Sequence, residues 1–206
     1  MDTVVFDLGG VLIDWNPRYL YRRLFDDEAA MEHFLEHVCN SAWNERQDAG
    51  RPWHEAVAEL SAAHPQHASL IEAYWHRWEE TLGDAIEETV ALLAALKRRG
   101  LRLYALTNWS AETFPVALRR FEFLGWFEGI VVSGSERLIK PDPAIFRRLF
   151  ERYGIEPARA VYIDDAKRNV EAAERLGMRA CWFREPAALR ERLVGWGLIE
   201  TELAHG

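Results

Sequence analysis

Short apolar runs alternate with amphipathic stretches along most of this chain. The runs Thr3–Phe6, Leu101–Leu106, Ile130–Val132, Ala160–Ile163 and Arg179–Phe183 predict strands. Ile86–Arg99, Ala111–Leu124, Pro143–Tyr153 and Arg168–Leu176 carry helical patterning, and each is long enough for a crossover helix. Gly100 and Gly177 stand where helix stops belong. Strand–helix alternation of this kind predicts an α/β fold with a doubly wound parallel sheet, covered on both faces. Ligands then bind at the carboxyl ends of the strands.

From about Trp15 to Leu82 the alternation stops. Arg18–Phe25, Glu28–His37, Trp53–Ala63 and Ala68–Thr81 are all helical in pattern, and no strand is expected between them. The stretch is too long for one crossover. The expected organisation is a core of residues 1–14 and 83–206 with an inserted helical cap, residues 15–82. Five of the nine tryptophans fall in that cap: Trp15, Trp43, Trp53, Trp75 and Trp78. Tyr74 and Trp78, at i and i+4, are expected to share a helix face, with Trp75 and Trp78 packed inside the bundle. Trp15, Trp43 and Trp53 lie near predicted loops, where one or two of them are expected to line a substrate pocket.

Composition narrows the function classes. At 206 residues the chain can bury one good core with room for an insertion, and its 49% hydrophobic and 28% charged content is ordinary for a globular protein. A net charge of −8 argues against a nucleic-acid partner. The longest apolar runs, such as Val90–Leu96, are far short of a bilayer span, so no membrane partner is expected. Met1-Asp2-Thr3 runs directly into a strand without a signal-peptide pattern, which favours the cytoplasm. Cys39 and Cys181 lack CxxC spacing and read as two small buried side chains rather than a disulfide. The expected partner is a small-molecule substrate, and nothing in the pattern sets an oligomeric state.

Reactive groups stand at four strand ends, in order. The first strand ends in Asp7, followed by Gly9 and Gly10, which let the backbone curl close to a bound group. The second ends in Thr107-Asn108-Trp109-Ser110. Lys140-Pro141 follows the third, and the fourth ends in Asp164-Asp165. A carboxylate, a hydroxyl with an amide, a lysine and an acidic pair thus converge on one sheet edge. His33 and His37 are spaced for a metal but lack a third ligand, so a solvated helix face is expected. Gly195-Trp196-Gly197 predicts a turn, with Trp196 packed on the core or on a partner subunit.

In the order and spacing of these motifs the chain resembles the haloacid-dehalogenase (HAD) superfamily hydrolases, in the branch with a helical cap between the first motif and the second strand. It is similar in pattern to phosphatases resembling the N-terminal domain of soluble epoxide hydrolase, and to bacterial sugar-1-phosphate phosphatases. The resemblance covers nearly the whole chain. It implies that Asp7 attacks phosphorus and forms an aspartyl-phosphate. It implies Mg²⁺ held by Asp7, the Gly9 carbonyl, Asp164 and Asp165, with Asp165 favoured as the direct ligand of the acidic pair. Thr107 and the Asn108 backbone would donate to phosphate oxygens, and Lys140 would hold Asp7 ionised. Trp109 walls the site or covers the sheet edge.

Position 9 departs from the family pattern. A second Asp usually stands there as proton donor and acceptor; here it is Gly9. Losing a general acid–base costs ~10²–10⁴-fold. The chain is then a phosphatase acting on a good leaving group such as an anomeric phosphate, a 2-haloacid dehalogenase whose halide leaves without a proton, or a weak catalyst kept for binding. Three carboxylates around one lysine repel each other unless a cation sits among them, which favours Mg²⁺ and phosphate. A dehalogenase also wants a cap arginine for the substrate carboxylate, and Arg18, Arg22, Arg23 and Arg46 are available without a matching context. Asp14, and after it Glu45, Asp48 and His54, are the residues weighed as stand-ins for the missing acid.

Overall fold

β1 (Thr3–Phe6) is buried at all four positions. A strand covered on both faces shows no polar alternation, and this one lies in the middle of its sheet. The computed structural model describes residues 1–200; residues 201–206, expected in the core, lie outside the described residues. After β1 the chain runs through β2 (Ile13–Trp15), α1 (Arg18–Tyr21), α2 (Glu28–His37), α3 (Ser41–Asp48), α4 (Trp53–Ala63) and α5 (Ala68–His76) to β3 (Leu82–Ala85). Then come α6 (Glu87–Arg98), β4 (Arg102–Thr107), α7 (Phe114–Arg120), β5 (Gly129–Val132), α8 (Ser133–Glu136) and α9 (Pro143–Tyr153). β6 (Ala160–Asp164), α10 (Lys167–Arg175), β7 (Arg179–Trp182) and α11 (Pro186–Gly195) complete it.

The main sheet is parallel, in the order β5-β4-β1-β6-β7. From β1 the chain builds β4 and β5 on one side, then returns to β6 and β7 on the other, so the topological switch point falls at β1. Val4 and Phe6 face a core completed by Leu92, Leu93, Leu96, Leu189 and Leu193. Val5 faces the opposite layer, with Ile145, Phe146, Leu149 and Ala173. This two-residue alternation places helices on both faces, as the doubly wound α/β expectation requires. Phe6 pairs with Ala105 on one side and Ile163 on the other. The Asp7 N–H extends the ladder by donating to the Ile163 carbonyl at 2.8 Å, so Asp7 emerges beside Asp164.

Residues between β2 and β3 are helical, packed on an aromatic cluster. Tyr74 stands at its centre, with ring centroids 5.9 Å from Tyr21, 5.4 Å from Trp43 and 5.6 Å from Trp53. Such tilted, edge-on and stacked contacts add ~0.5–1.5 kcal/mol each beyond area burial. The Trp53 indole N–H donates to Ser110 Oγ at 3.1 Å and its backbone N–H to Glu112 at 2.9 Å. These bonds tie α4 to the loop after β4. No helix among the described residues is long and apolar enough to cross a membrane.

Several elements differ from the sequence expectation. β2 and β3 form an antiparallel pair at the two ends of the helical segment, too short to leave an alternating signature. The helix expected over Ala111–Leu124 is confined to α7, because Pro115 has no N–H to donate and is accommodated only in a first turn. The helix expected over Ala68–Thr81 ends at His76; Arg77 leaves helical geometry, and Trp78–Thr81 forms a separate tight turn. Trp78 therefore does not share a helix face with Tyr74. α3, α8 and α11 carry no apolar stripe that predicts them. Gly100 and Gly177 both follow helix ends with left-handed φ, of 75° and 90°. Cys39 and Cys181 are free and buried. Gly197 turns at φ 69°, and Trp196 packs on the core.

Candidate active site

Three carboxylates meet at the carboxyl edge of β1 and β6. Ligand atoms of Asp7, Asp164 and Asp165 lie within 4.8 Å of one another. Lys140 joins them from the loop before α9, with Nζ 2.8 Å from Asp7 Oδ2 and 2.7 Å from Asp164 Oδ2. The Asn108 side chain fixes that loop. Its amide nitrogen donates to the Lys140 carbonyl at 3.1 Å, and its oxygen accepts from the Lys140 N–H at 2.9 Å. The Asn108 side chain is thereby occupied.

The two aspartates of the acidic pair have different surroundings. Asp164 is fully buried and accepts from Lys140, from the Tyr162 hydroxyl at 2.5 Å, from Asn169 at 3.0 Å and from the Ala166 N–H at 2.8 Å. Asp165 lines the cavity above Asp7. Gly10, at φ 74°, passes so close that a Cβ there would stand 2.4 Å from Asp165 Oδ2. Position 10 thus requires glycine both for its backbone angle and for the space the carboxylate occupies.

A cavity of about 210 Å³ opens over these groups. It is lined by Asp7, Gly9, Gly10, Thr107, Asn108 and Asp165, by Trp15, Trp78 and Trp109, and by Asn44 and Asp48 of α3. Trp78 and Trp109 lie 5.5 Å apart, centroid to centroid. The Trp15 expectation agrees with this arrangement, and Trp109 walls the site. Trp43 and Trp53, also considered for the pocket, are instead buried in the aromatic cluster. Trp78, expected inside the bundle, reaches the pocket because the chain breaks at Arg77. A larger open groove of about 1090 Å³ contains none of the strand-end residues.

Of the weighed stand-ins for an acid, only Asp48 lines the cavity. Asp14 accepts a hydrogen bond from the Tyr19 hydroxyl and lines the separate groove. Glu45 pairs with Arg168 at 2.5 Å, and His54 is exposed beside Glu55. None of the four arginines considered for a substrate carboxylate lines the cavity. Arg18 is engaged with Glu32, Arg22 with Glu28 and Arg23 with Glu80, and Arg46 is exposed. His33 and His37 stack on each other at an exposed helix face, and no metal cluster forms there among the described residues.

Burial governs the electrostatics. It pushes the Asp7 carboxyl up to about 8; Lys140 opposes this and Asp164 adds to it. Lys140 divides its charge between Asp7 and Asp164, and its pull on Asp7 opposes burial without outweighing it. Burial also works on Asp164, but Lys140, Tyr162 and the Ala166 N–H outweigh it and hold that carboxylate low. Asp165 is raised by burial and by Asp164. Burial opposes the charge on Lys140, and Asp164 and Asp7 more than restore it. One shared cation against three carboxylates leaves a deficit of positive charge, and the donors are all hard oxygens. The cluster therefore fits a small divalent ion.

The family model for haloacid dehalogenase-like hydrolases matches residues 1–177. The chain belongs to this family and is a hydrolase. The phosphorylated carbohydrates phosphatase of Thermotoga maritima is 28% identical over 86% of this chain and 82% of its own. The HAD family enzyme bt-2542 of Bacteroides thetaiotaomicron, solved in complex with magnesium and inorganic phosphate, superposes with TM-score 0.66 at 23% identity, over 89% of this chain and 94% of that one. The L-2-haloacid dehalogenase of Xanthobacter autotrophicus, with chloropropionic acid covalently bound, gives TM-score 0.62 at 16% identity, over 95% and 83%. The two solved structures are likenesses of fold.

Proposed function

We propose that this protein is a Mg²⁺-dependent phosphatase that hydrolyses a small phosphorylated metabolite of sugar-phosphate size through an aspartyl-phosphate on Asp7. The observation that carries this reading is the Asp7–Asp164–Asp165 cluster with its single shared lysine, whose unbalanced negative charge calls for a cation. The carbohydrate phosphatase relative and the magnesium and phosphate bound to the Bacteroides enzyme support it. The competing dehalogenase reading lacks a cation for a substrate carboxylate, since no arginine lines the cavity among the described residues.

Mg²⁺ would be held by Asp7, the Gly9 carbonyl and Asp165, with Asp164 behind them, and supplies charge neutralisation for nucleophile and phosphate. The chain's own groups do the rest. Asp7 Oδ attacks phosphorus. Thr107 and the Asn108 backbone donate to the equatorial oxygens, and Lys140 keeps its ammonium against Asp7 as charge moves onto phosphate. The indole faces of Trp15, Trp78 and Trp109 receive the apolar side of the leaving group, while Asn44 offers hydrogen bonds to its hydroxyls. Residues 15–82 act as a cap that closes over the substrate and residues 1–14 with 83–206 as the catalytic core. The protein acts in the cytoplasm, without nucleic-acid or membrane partners, consistent with its charge of −8.

Acid-quench trapping tests this reading. After brief mixing with substrate and Mg²⁺, mass spectrometry of a peptide digest should find phosphate on the peptide that contains Asp7. Turnover without phosphate at Asp7, or an organic-acid ester there after exposure to a 2-haloacid, would overturn it.

A further inference from the structure

Phosphate-ester cleavage creates an alkoxide, a base too strong to leave readily without a proton. Gly9 supplies none, and the space its side chain would occupy is open: a Cβ built there meets no atom within 4 Å. The same cavity is lined by an aspartate of α3. Asp7, Gly9 and Asp48 line it together. Of the three carboxyl-bearing residues that line it among the described residues, Asp7 and Asp165 belong to the cation cluster and Asp48 does not. Asp14, Glu45 and His54 face elsewhere, as shown above.

Asp48 is held in place. α3 is capped by Asn40, whose side chain accepts from the Trp43 N–H at 2.9 Å. Asn44, one turn before Asp48, donates to Asp48 Oδ2 at 3.1 Å, and the Ser133 hydroxyl donates to the Asp48 carbonyl at 2.5 Å. Asn44 Oδ1 is itself buried without a partner, an unmet acceptor beside the carboxyl. Charged groups acting on Asp48 are Glu45 on its own helix and Lys140 of the loop before α9; Asp7 and Asp165 share the cavity. Burial raises the Asp48 carboxyl to about 7, with the Ser110 backbone N–H and Lys140 opposing and Glu45 adding. At that value the group is available in both protonation states near neutrality, the condition for acid–base work. In its protonated form it also adds no negative charge against incoming phosphate.

We propose that Asp48 carries the proton in this reaction, in place of the absent side chain at position 9. The proposal rests on the phosphatase reading above. In the first step the Asp7 oxygen bonds to phosphorus, the bond to the leaving oxygen breaks with its electron pair, and that oxygen takes the Asp48 proton. In the second step Asp48, now a carboxylate, takes a proton from water. The water oxygen bonds to phosphorus, and the aspartyl oxygen leaves with its electron pair. Inorganic phosphate, the alcohol, ionised Asp7 and protonated Asp48 result.

The test is stopped-flow hydrolysis of p-nitrophenyl phosphate with Mg²⁺, beside steady-state hydrolysis of a sugar 6-phosphate, in the parent protein and in Asp48→Asn. Nitrophenolate leaves without help, so Asp48→Asn should release one equivalent in a burst and then slow ~10²-fold, because the aspartyl-phosphate lacks its base. The alkyl ester should lose at least as much with no burst. Introducing Gly9→Asp into Asp48→Asn should restore the steady-state rate on both substrates, a rescue that a merely structural role for Asp48 does not allow. Unchanged steady-state rates in Asp48→Asn, or losses without a burst and without rescue, would overturn the proposal while leaving the phosphatase reading in place. No Mg²⁺-dependent turnover of either ester by the parent would overturn both.

Discussion

Replacing Lys140 by Met keeps most of the side-chain volume and removes the one cation that, among the described residues, touches the carboxylates. Lys140 is 1% exposed, with its ammonium 2.8 Å from Asp7 and 2.7 Å from Asp164. Removing one partner of a buried ion pair costs ~3–5 kcal/mol, since the other is left charged and unsolvated; here that partner is Asp164, because Asp7, raised to about 8, is already largely protonated at pH 7.5. The cost depends on pH in a defined sense. In the parent, Asp164 is held below the ordinary carboxylate range. Its stabilisation is present above the unfolded value, near 3.9, and is lost as pH falls through the lower folded value. In Lys140→Met the Asp164 carboxyl is buried without a cation, so its folded value rises, whereas Asp7 is raised already in the parent and adds little difference below pH 7.5. The native state then binds more protons at Asp164 than the unfolded state, and stability relative to the parent falls as pH rises at up to ~1.4 kcal/mol per unit. Urea unfolding in EDTA should therefore show a small difference from the parent at pH 4.5 and a loss of ~3–5 kcal/mol at pH 7.5. Saturating Mg²⁺ should recover part of that loss. A loss below ~1 kcal/mol at pH 7.5, or one equal at both pH values, would refute the electrostatic account of the cluster.

Asp7→Asn should lower turnover by at least ~10³-fold while the thermal midpoint stays at or above that of the parent, because a buried carboxyl raised to about 8 is replaced by a neutral isostere. Gly10→Ala should cost ~1–2 kcal/mol for its left-handed angle. It should also weaken Mg²⁺ binding ~10–100-fold by calorimetry, because the new Cβ displaces Asp165. Unchanged Mg²⁺ affinity would place the ion away from Asp165. Trp78→Ala should raise KM for the natural substrate ~10-fold, within the range for losing one apolar contact surface. Mg²⁺ affinity should stay fixed, as titration of the metal would show.

Much of this arrangement was legible in residue order. β1 and β6 are continuous apolar runs because both faces are covered, and the reactive groups Asp7, Thr107, Lys140 and Asp164-Asp165 follow strand ends where a parallel sheet gathers them. The upper half of the cavity was not legible. α3 is polar nearly all round, with only Trp43 and Gln47 buried, so hydrophobic periodicity passes over it. A faint signal was present: Asn40 at a capping position, and Asn44 and Asp48 four apart on one face. That these two residues line one cavity with Asp7 depends on α3 seating against Ser133, a contact 85 residues apart in the chain. Trp78 was misplaced because helical spacing continues past Arg77, although the helix does not. Lys140 was recognised as a partner of Asp7, but its second bond, to Asp164, follows from the β1–β6 register that sets those carboxylates side by side.

The central claim is that this hydrolase transfers phosphate with a divalent ion in the carboxylate cluster. Its most direct test is p-nitrophenyl phosphate hydrolysis with Mg²⁺ and then with excess EDTA, beside halide release from a 2-haloacid in EDTA. Magnesium-dependent nitrophenolate release that EDTA abolishes, without halide release, is the predicted result. Halide released in EDTA with no phosphatase activity would contradict it.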